Sequence, residues 1–79
     1  MDHKQILFTI ISPMGEVLEW DIFKLEYQLK DVIDMTPLDL HYNIMHLQDA
    51  YDRGDDDRIY YYLSNLELAS YAPFEFYIQ

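Results

Sequence analysis

LEWDIFKLEYQLKDVIDMTP, residues 18–37, contains the change of period that decides the fold. Leu18, Trp20 and Ile22 alternate with Glu19 and Asp21, the two-residue repeat of a half-buried strand. From Ile22 onward the apolar positions become Ile22, Leu25, Leu29, Val32 and Ile33, which share one arc of a helical wheel. Lys24, Lys30, Asp31 and Asp34 fall outside that arc. The spacing predicts an amphipathic helix from Ile22 to about Met35, with Asp21 placed to cap its start. Thr36-Pro37 then closes this helix and opens another. Threonine serves as N-cap, and proline sits at the first helical position, where a missing N–H costs nothing.

Upstream, Gln5 to Ser12 is rich in β-branched and aromatic residues and reads as a strand. Ser12-Pro13-Met14-Gly15 supplies a turn, so residues 5 to 22 are expected to form a hairpin. Downstream, the second helix runs from Pro37 to about Arg53, with Leu40, Ile44, Leu47 and Tyr51 as its main stripe. Leu38, Tyr42 and Met45 form a second apolar stripe on nearly the opposite side, which must be either covered or exposed. The third helix, about Asp56 to Tyr71, places Ile59, Tyr62, Leu63, Leu66 and Ala69 on one face. Pro73 prevents its continuation. Phe74, Phe76 and Ile78 alternate with Glu75 and Tyr77, which predicts a final strand. The expected order is β-β-α-α-α-β. Residues 1–79 read as a single acidic α+β domain, with a two- or three-stranded sheet packed on three helices.

Composition narrows the function. Fifteen acids against five bases give a net charge of −10, yet 51% of the chain is hydrophobic, so folding is expected rather than disorder. Binding to nucleic acid depends on lysine and arginine displacing counterions, and an anionic membrane leaflet repels negative charge. Neither is an expected partner; a basic protein surface is. The chain has no cysteine, which removes disulfides, thiolate chemistry and cysteine-based zinc sites. No segment approaches the ~20 apolar residues of a membrane span. The run from Ile6 to Ile11 is too short and too β-branched for a signal peptide. A cytoplasmic protein is expected.

DAYDRGDDDRIYYYL, residues 49–63, is the candidate site. An EF-hand register with Gly54 at position 6 places Asp49 at position 1. It also puts Tyr51, Arg53 and Tyr60 where oxygen ligands belong, so the register fails. Part of the stretch is a helix joint: Gly54 suits a left-handed residue ending one helix, and Asp55 is an N-cap for the next. Asp56 and Asp57 suit the positive first turn. Asp49, Asp52, Asp56 and Asp57 together exceed what capping requires. Successive helical residues point about 100° apart, so Tyr60, Tyr61 and Tyr62 cannot share one face. Tyr62 belongs to the core stripe, while Tyr60 and Tyr61 splay to either side. Asp49, Asp52, Asp55, Asp56, Asp57, Tyr60 and Tyr61 are therefore the expected partner-binding residues.

No catalytic, metal or cofactor motif accompanies them. His41 and His46 are five residues apart, not the four of a helical zinc pair, and the serines lack a nucleophile context. The expectation is a non-enzymatic acidic protein that binds and inhibits a basic protein, a nucleic-acid-binding one being one option. Phage-type anti-defence inhibitors and DNA mimics share this kind of composition, an analogy of type rather than of descent. Carboxylates one helical turn apart stand ~5–6 Å from each other at Cβ, near the spacing of phosphates. Asp31/Asp34, Asp49/Asp52 and Asp55–Asp57 are the candidate rows, diluted by Lys24, Lys30, Arg53 and Arg58. The alternative is a small structural subunit or homodimeric adaptor that buries Leu38, Tyr42, Met45 and the spare tyrosines in self-association.

Overall fold

A computed structural model describes residues 8–18 and 20–78, apart from the side chains of Phe8, Thr9 and Ile78. The expected first turn of the N-terminal strand, Gln5 to Leu7, and Glu19 lie outside the described residues. The elements follow in the order β1 (Phe8–Ile11), α1 (Ile22–Leu29), α2 (Pro37–Asp52), α3 (Asp56–Ala69) and β2 (Glu75–Ile78). The molecule is an α+β domain in which an antiparallel sheet packs against three helices.

Each helix starts where a side-chain oxygen takes up a backbone donor that the helix cannot satisfy. Asp21 Oδ1 accepts from Lys24 N at 3.1 Å, Thr36 Oγ1 from Asp39 N at 3.1 Å, and Asp55 Oδ1 from Arg58 N at 3.2 Å. Between α2 and α3, Gly54 adopts φ +67°, the left-handed conformation that glycine enters without steric cost. This reversal lets Gly54 N donate to Tyr51 O and Asp55 N donate to Ala50 O, closing the end of α2.

α1 is shorter than its periodicity predicts, ending at Leu29 rather than near Met35. Residues 32–34 hydrogen-bond instead to the end of α3. Ile33 and Ser70 form an isolated antiparallel bridge, Asp34 N donates to Ala69 O, and Tyr71 N donates to Val32 O. Ile33 is buried by this crossing, not by a continued helix. Asp31 and Asp34 consequently occupy a turn and a bend, and do not form a row on a helix face. The same crossing ends α3 at Ala69, two residues before Tyr71.

Among the described residues the sheet pairs two strands, with Phe8 opposite Ile78 and Ile11 opposite Glu75. The expected hairpin survives as its turn and one rung. Ser12 is buried, its Oγ accepts from Met14 N and Glu16 N, and Ile11 bridges Val17. The chain then leaves the sheet. Trp20 lies edge-on to Tyr51 of α2, with ring centroids 4.2 Å apart. One apolar core joins the elements through Ile10, Leu25, Ile44, Leu63, Leu66 and Phe74, all buried.

Candidate functional site

α2 packs against both other helices, and its two histidines mark the two flanks. Five residues apart, they point about 140° away from each other. His41 Nδ1 meets Glu26 Oε2 of α1 at 3.0 Å. His46 stacks on Tyr62 of α3, with centroids 5.5 Å apart and planes 21° from parallel. The face between these flanks points to solvent. It carries Leu38, Tyr42 and Met45, exposed by 77%, 63% and 45% respectively, and ends at Asp49. The second stripe of α2 is thus uncovered.

Leu38, Tyr42, Met45 and Asp49 follow the i, i+4, i+7, i+11 pattern of a single helical face. They span about 16 Å along the axis at about 1.5 Å per residue. With His41 and His46 they line an open groove of about 320 Å³. Aromatic contacts carry the surface from α2 onto α3. Tyr42 and His46 have centroids 4.2 Å apart, and Tyr61 meets Tyr62 edge-on at 5.2 Å. A second groove of about 350 Å³ lies between α1 and the start of α2, lined in part by Phe23, Tyr27 and Pro37. Glu26 lines that groove and His41 the first, so their contact forms the ridge between the two.

The acidic corner lies where α2 hands over to α3. Its five aspartates differ in their partners. Asp49 Oδ2 pairs with Arg53 Nε at 3.0 Å, and Asp55 Oδ2 with Arg58 Nε at 3.2 Å. Asp52 accepts only from the neutral amide of Gln48, at 2.8 Å. Asp56 and Asp57 form no ion pair among the described residues, although both lie in the first turn of α3. Among the described residues, no ion pair offsets the charge of Asp52, Asp56 or Asp57.

The two candidate tyrosines separate as the 100° step requires. Both are exposed, but Tyr61 joins the aromatic row leading from α2. Tyr60 turns toward the sheet, edge-on to Phe76 at 5.4 Å. Of the seven residues singled out in the sequence, Asp49 lies on the apolar stripe, Asp52 follows it on α2, Asp56 and Asp57 stand in the first turn of α3, and Tyr61 meets Tyr62. Asp55 is held by its cap, and Tyr60 faces another side. His46 is the residue that sequence reading passed over. Its i, i+4 spacing from Tyr42 was visible, but its stacking on Tyr62 depends on how α3 packs.

Lys24 beside Glu16, Nζ to Oε2 2.8 Å, holds the Glu16 carboxyl below the usual glutamate range. The Asp34 charge raises the Tyr71 phenol, and the hydrogen bond to Glu75 raises that of Tyr77. Among the described residues no group of three or more potential ligands is arranged to hold a metal ion, and no helix is long and apolar enough to cross a membrane. Comparison with protein-family models, curated proteins and solved structures finds no match for the chain.

Proposed function

We propose that this chain is a non-enzymatic interaction protein that binds a basic surface on a partner protein and inhibits it by occlusion. The observation that carries this reading is the end of α2, where the uncovered stripe reaches Asp49 and is followed in the chain by Asp52, Asp56 and Asp57, which form no ion pair among the described residues. Tyrosine, methionine and leucine offer contact area, tyrosine with little rotamer entropy to lose. Unpaired aspartates steer the encounter with positive charge. Imitation of a phosphate row has less support. Asp31 and Asp34 lie off any helix, and Arg53 and Arg58 neutralise Asp49 and Asp55. The cysteine-free composition suits a reducing compartment, and we assign the protein to the cytoplasm.

The test is charge reversal at the three unpaired positions, Asp52→Lys/Asp56→Lys/Asp57→Lys, which leaves the Asp55 cap in place. A partner captured by the wild-type chain is purified and its association rate measured against both proteins. The partner should be basic, and the variant should associate about tenfold more slowly at low salt. The difference should shrink near about 0.5 M salt, where screening is short-ranged. Equal rates at low salt would end the reading. If the partner binds DNA, mutual exclusion of DNA and this protein would extend it to mimicry.

The exposed stripe also favours a second reading, a homodimeric adaptor. Sedimentation at high concentration separates the two. A monomer is expected, because each copy brings a charge of −10 to the contact.

A further inference from the structure

We infer that the α2 groove is a seat for one kind of occupant, an amphipathic helix of a partner protein with its lysines or arginines clustered near its N-terminus. This rests on the interaction reading above and specifies its partner. The groove has the shape for it: Leu38, Tyr42, Met45 and Asp49 repeat at helical spacing over about three turns, the length of a short docking helix. Its rims are already in place. His41 is held to Glu26 on the α1 side, and His46 sits between Tyr42 and Tyr62 on the α3 side. Side chains ordered before binding lose less entropy when the occupant arrives.

Charge fixes both the sign and the direction of the occupant. The Leu38 end of the stripe is the start of α2, and the Asp49 end is its finish. The negative end of the α2 dipole adds to the charge of Asp49 and Asp52 there, and the first-turn aspartates of α3 follow directly after Gly54. A helix lying antiparallel to α2 brings its own positive N-terminal end over that corner, and cationic side chains there strengthen the match. The chain cannot supply such a segment itself. It has five lysines and arginines in all, and no two of them are closer in sequence than Arg53 and Arg58. A second copy is disfavoured for the same reason.

The probe is a synthetic helical peptide with leucines at i, i+3, i+4 and i+7 and three lysines in its first turns. Two companions carry the lysines in the last turns, or glutamates in their place. Each is titrated into isotope-labelled protein and followed by backbone amide shifts. The first peptide should bind at least tenfold more tightly than either companion, with the largest shifts between residues 38 and 49. Met45→Glu, at an exposed position, should weaken it at least tenfold with no change in melting temperature. Asp52→Lys/Asp56→Lys/Asp57→Lys should weaken it as well. Loss on charge reversal but not on Met45→Glu, with shifts confined to residues 52–61, overturns the groove and leaves the basic-partner reading intact. Tight binding of the glutamate peptide overturns both. A concentration-dependent dimer dissolved by Met45→Glu would make a second copy the occupant and overturn the inference.

Discussion

Aspartate does two different jobs within three residues of this chain. The Asp55 carboxylate accepts from Arg58 N and satisfies a donor at the start of α3. Asp57, two residues on, has no hydrogen-bond or ion-pair partner among the described residues and interacts with the fold only through the dipole of α3. Asp55→Ala should therefore cost about 0.5–2 kcal/mol, the usual loss when a capping oxygen is removed. Asp57→Asn should cost no more than about 0.3–1 kcal/mol, the value of one exposed charge near a helix end. Chemical denaturation of the two variants reads the difference directly. A larger loss for Asp57→Asn would assign it a structural duty and remove it from the interaction surface. Asp55 is for this reason a poor position at which to probe binding, although its sequence context groups it with its neighbours.

Among the elements, α2 shows most clearly where fold and surface pull apart. Asp49 and Asp52 lie in its final turns, at the negative end of the helix dipole, where cations are favoured, and the last turn contains no basic residue. Arg53 meets Asp49, but Asp52 has only Gln48. Asp52→Asn keeps an acceptor for Gln48 and removes the misplaced charge. It should stabilise the protein by about 0.3–1 kcal/mol in denaturant titration while slowing association with a basic partner. A loss of both stability and association would mean that Asp52 acts through the structure of α2. The starts of α2 and α3 were legible in the sequence because Thr36-Pro37 and Gly54-Asp55 act on their own neighbours. The end of α1 was not. Val32 and Ile33 continue its spacing, and only their pairing with the end of α3, nearly forty residues away, shows that they have left it. The expected hairpin is present but short: Ile11 bridges Val17, while β1 finds its longer partner in Glu75–Ile78 and Trp20 packs on Tyr51. The exposed stripe was visible as a periodicity. Which of its edges was joined to α3 through His46 was not, because that contact is tertiary.

For the molecule as a whole, the distribution of charge bears on stability as well as on binding. The radius of gyration is 12.0 Å, and the net charge of −10 is confined within it. At about 10 mM salt the screening length, about 30 Å, exceeds two of the molecule's three dimensions, 24 and 17 Å, so most carboxylates feel one another. At about 0.3 M the length lies between the ~10 Å of 0.1 M and the ~3 Å of 1 M, and only near neighbours interact. The three ion pairs of lysine and arginine among the described residues are exposed contacts of modest value, so their screening subtracts little. Relief of the general repulsion should therefore win, and added sodium chloride should raise the melting temperature. For a domain of this size each kcal/mol recovered corresponds to about 4–8 °C. A melting curve that is flat or falls between those salt concentrations would show that the ion pairs matter more than the net charge. The Asp52→Lys/Asp56→Lys/Asp57→Lys variant brings the net charge from −10 to −4, since each reversal adds two. Its melting temperature should accordingly depend on salt less steeply than that of the native chain. Because repulsion weakens the compact state that carries it, the same carboxylates that would draw in a cationic partner leave the unbound protein less stable. Neutralising them by binding should then raise the melting temperature, and the gain should be larger at low salt than at high.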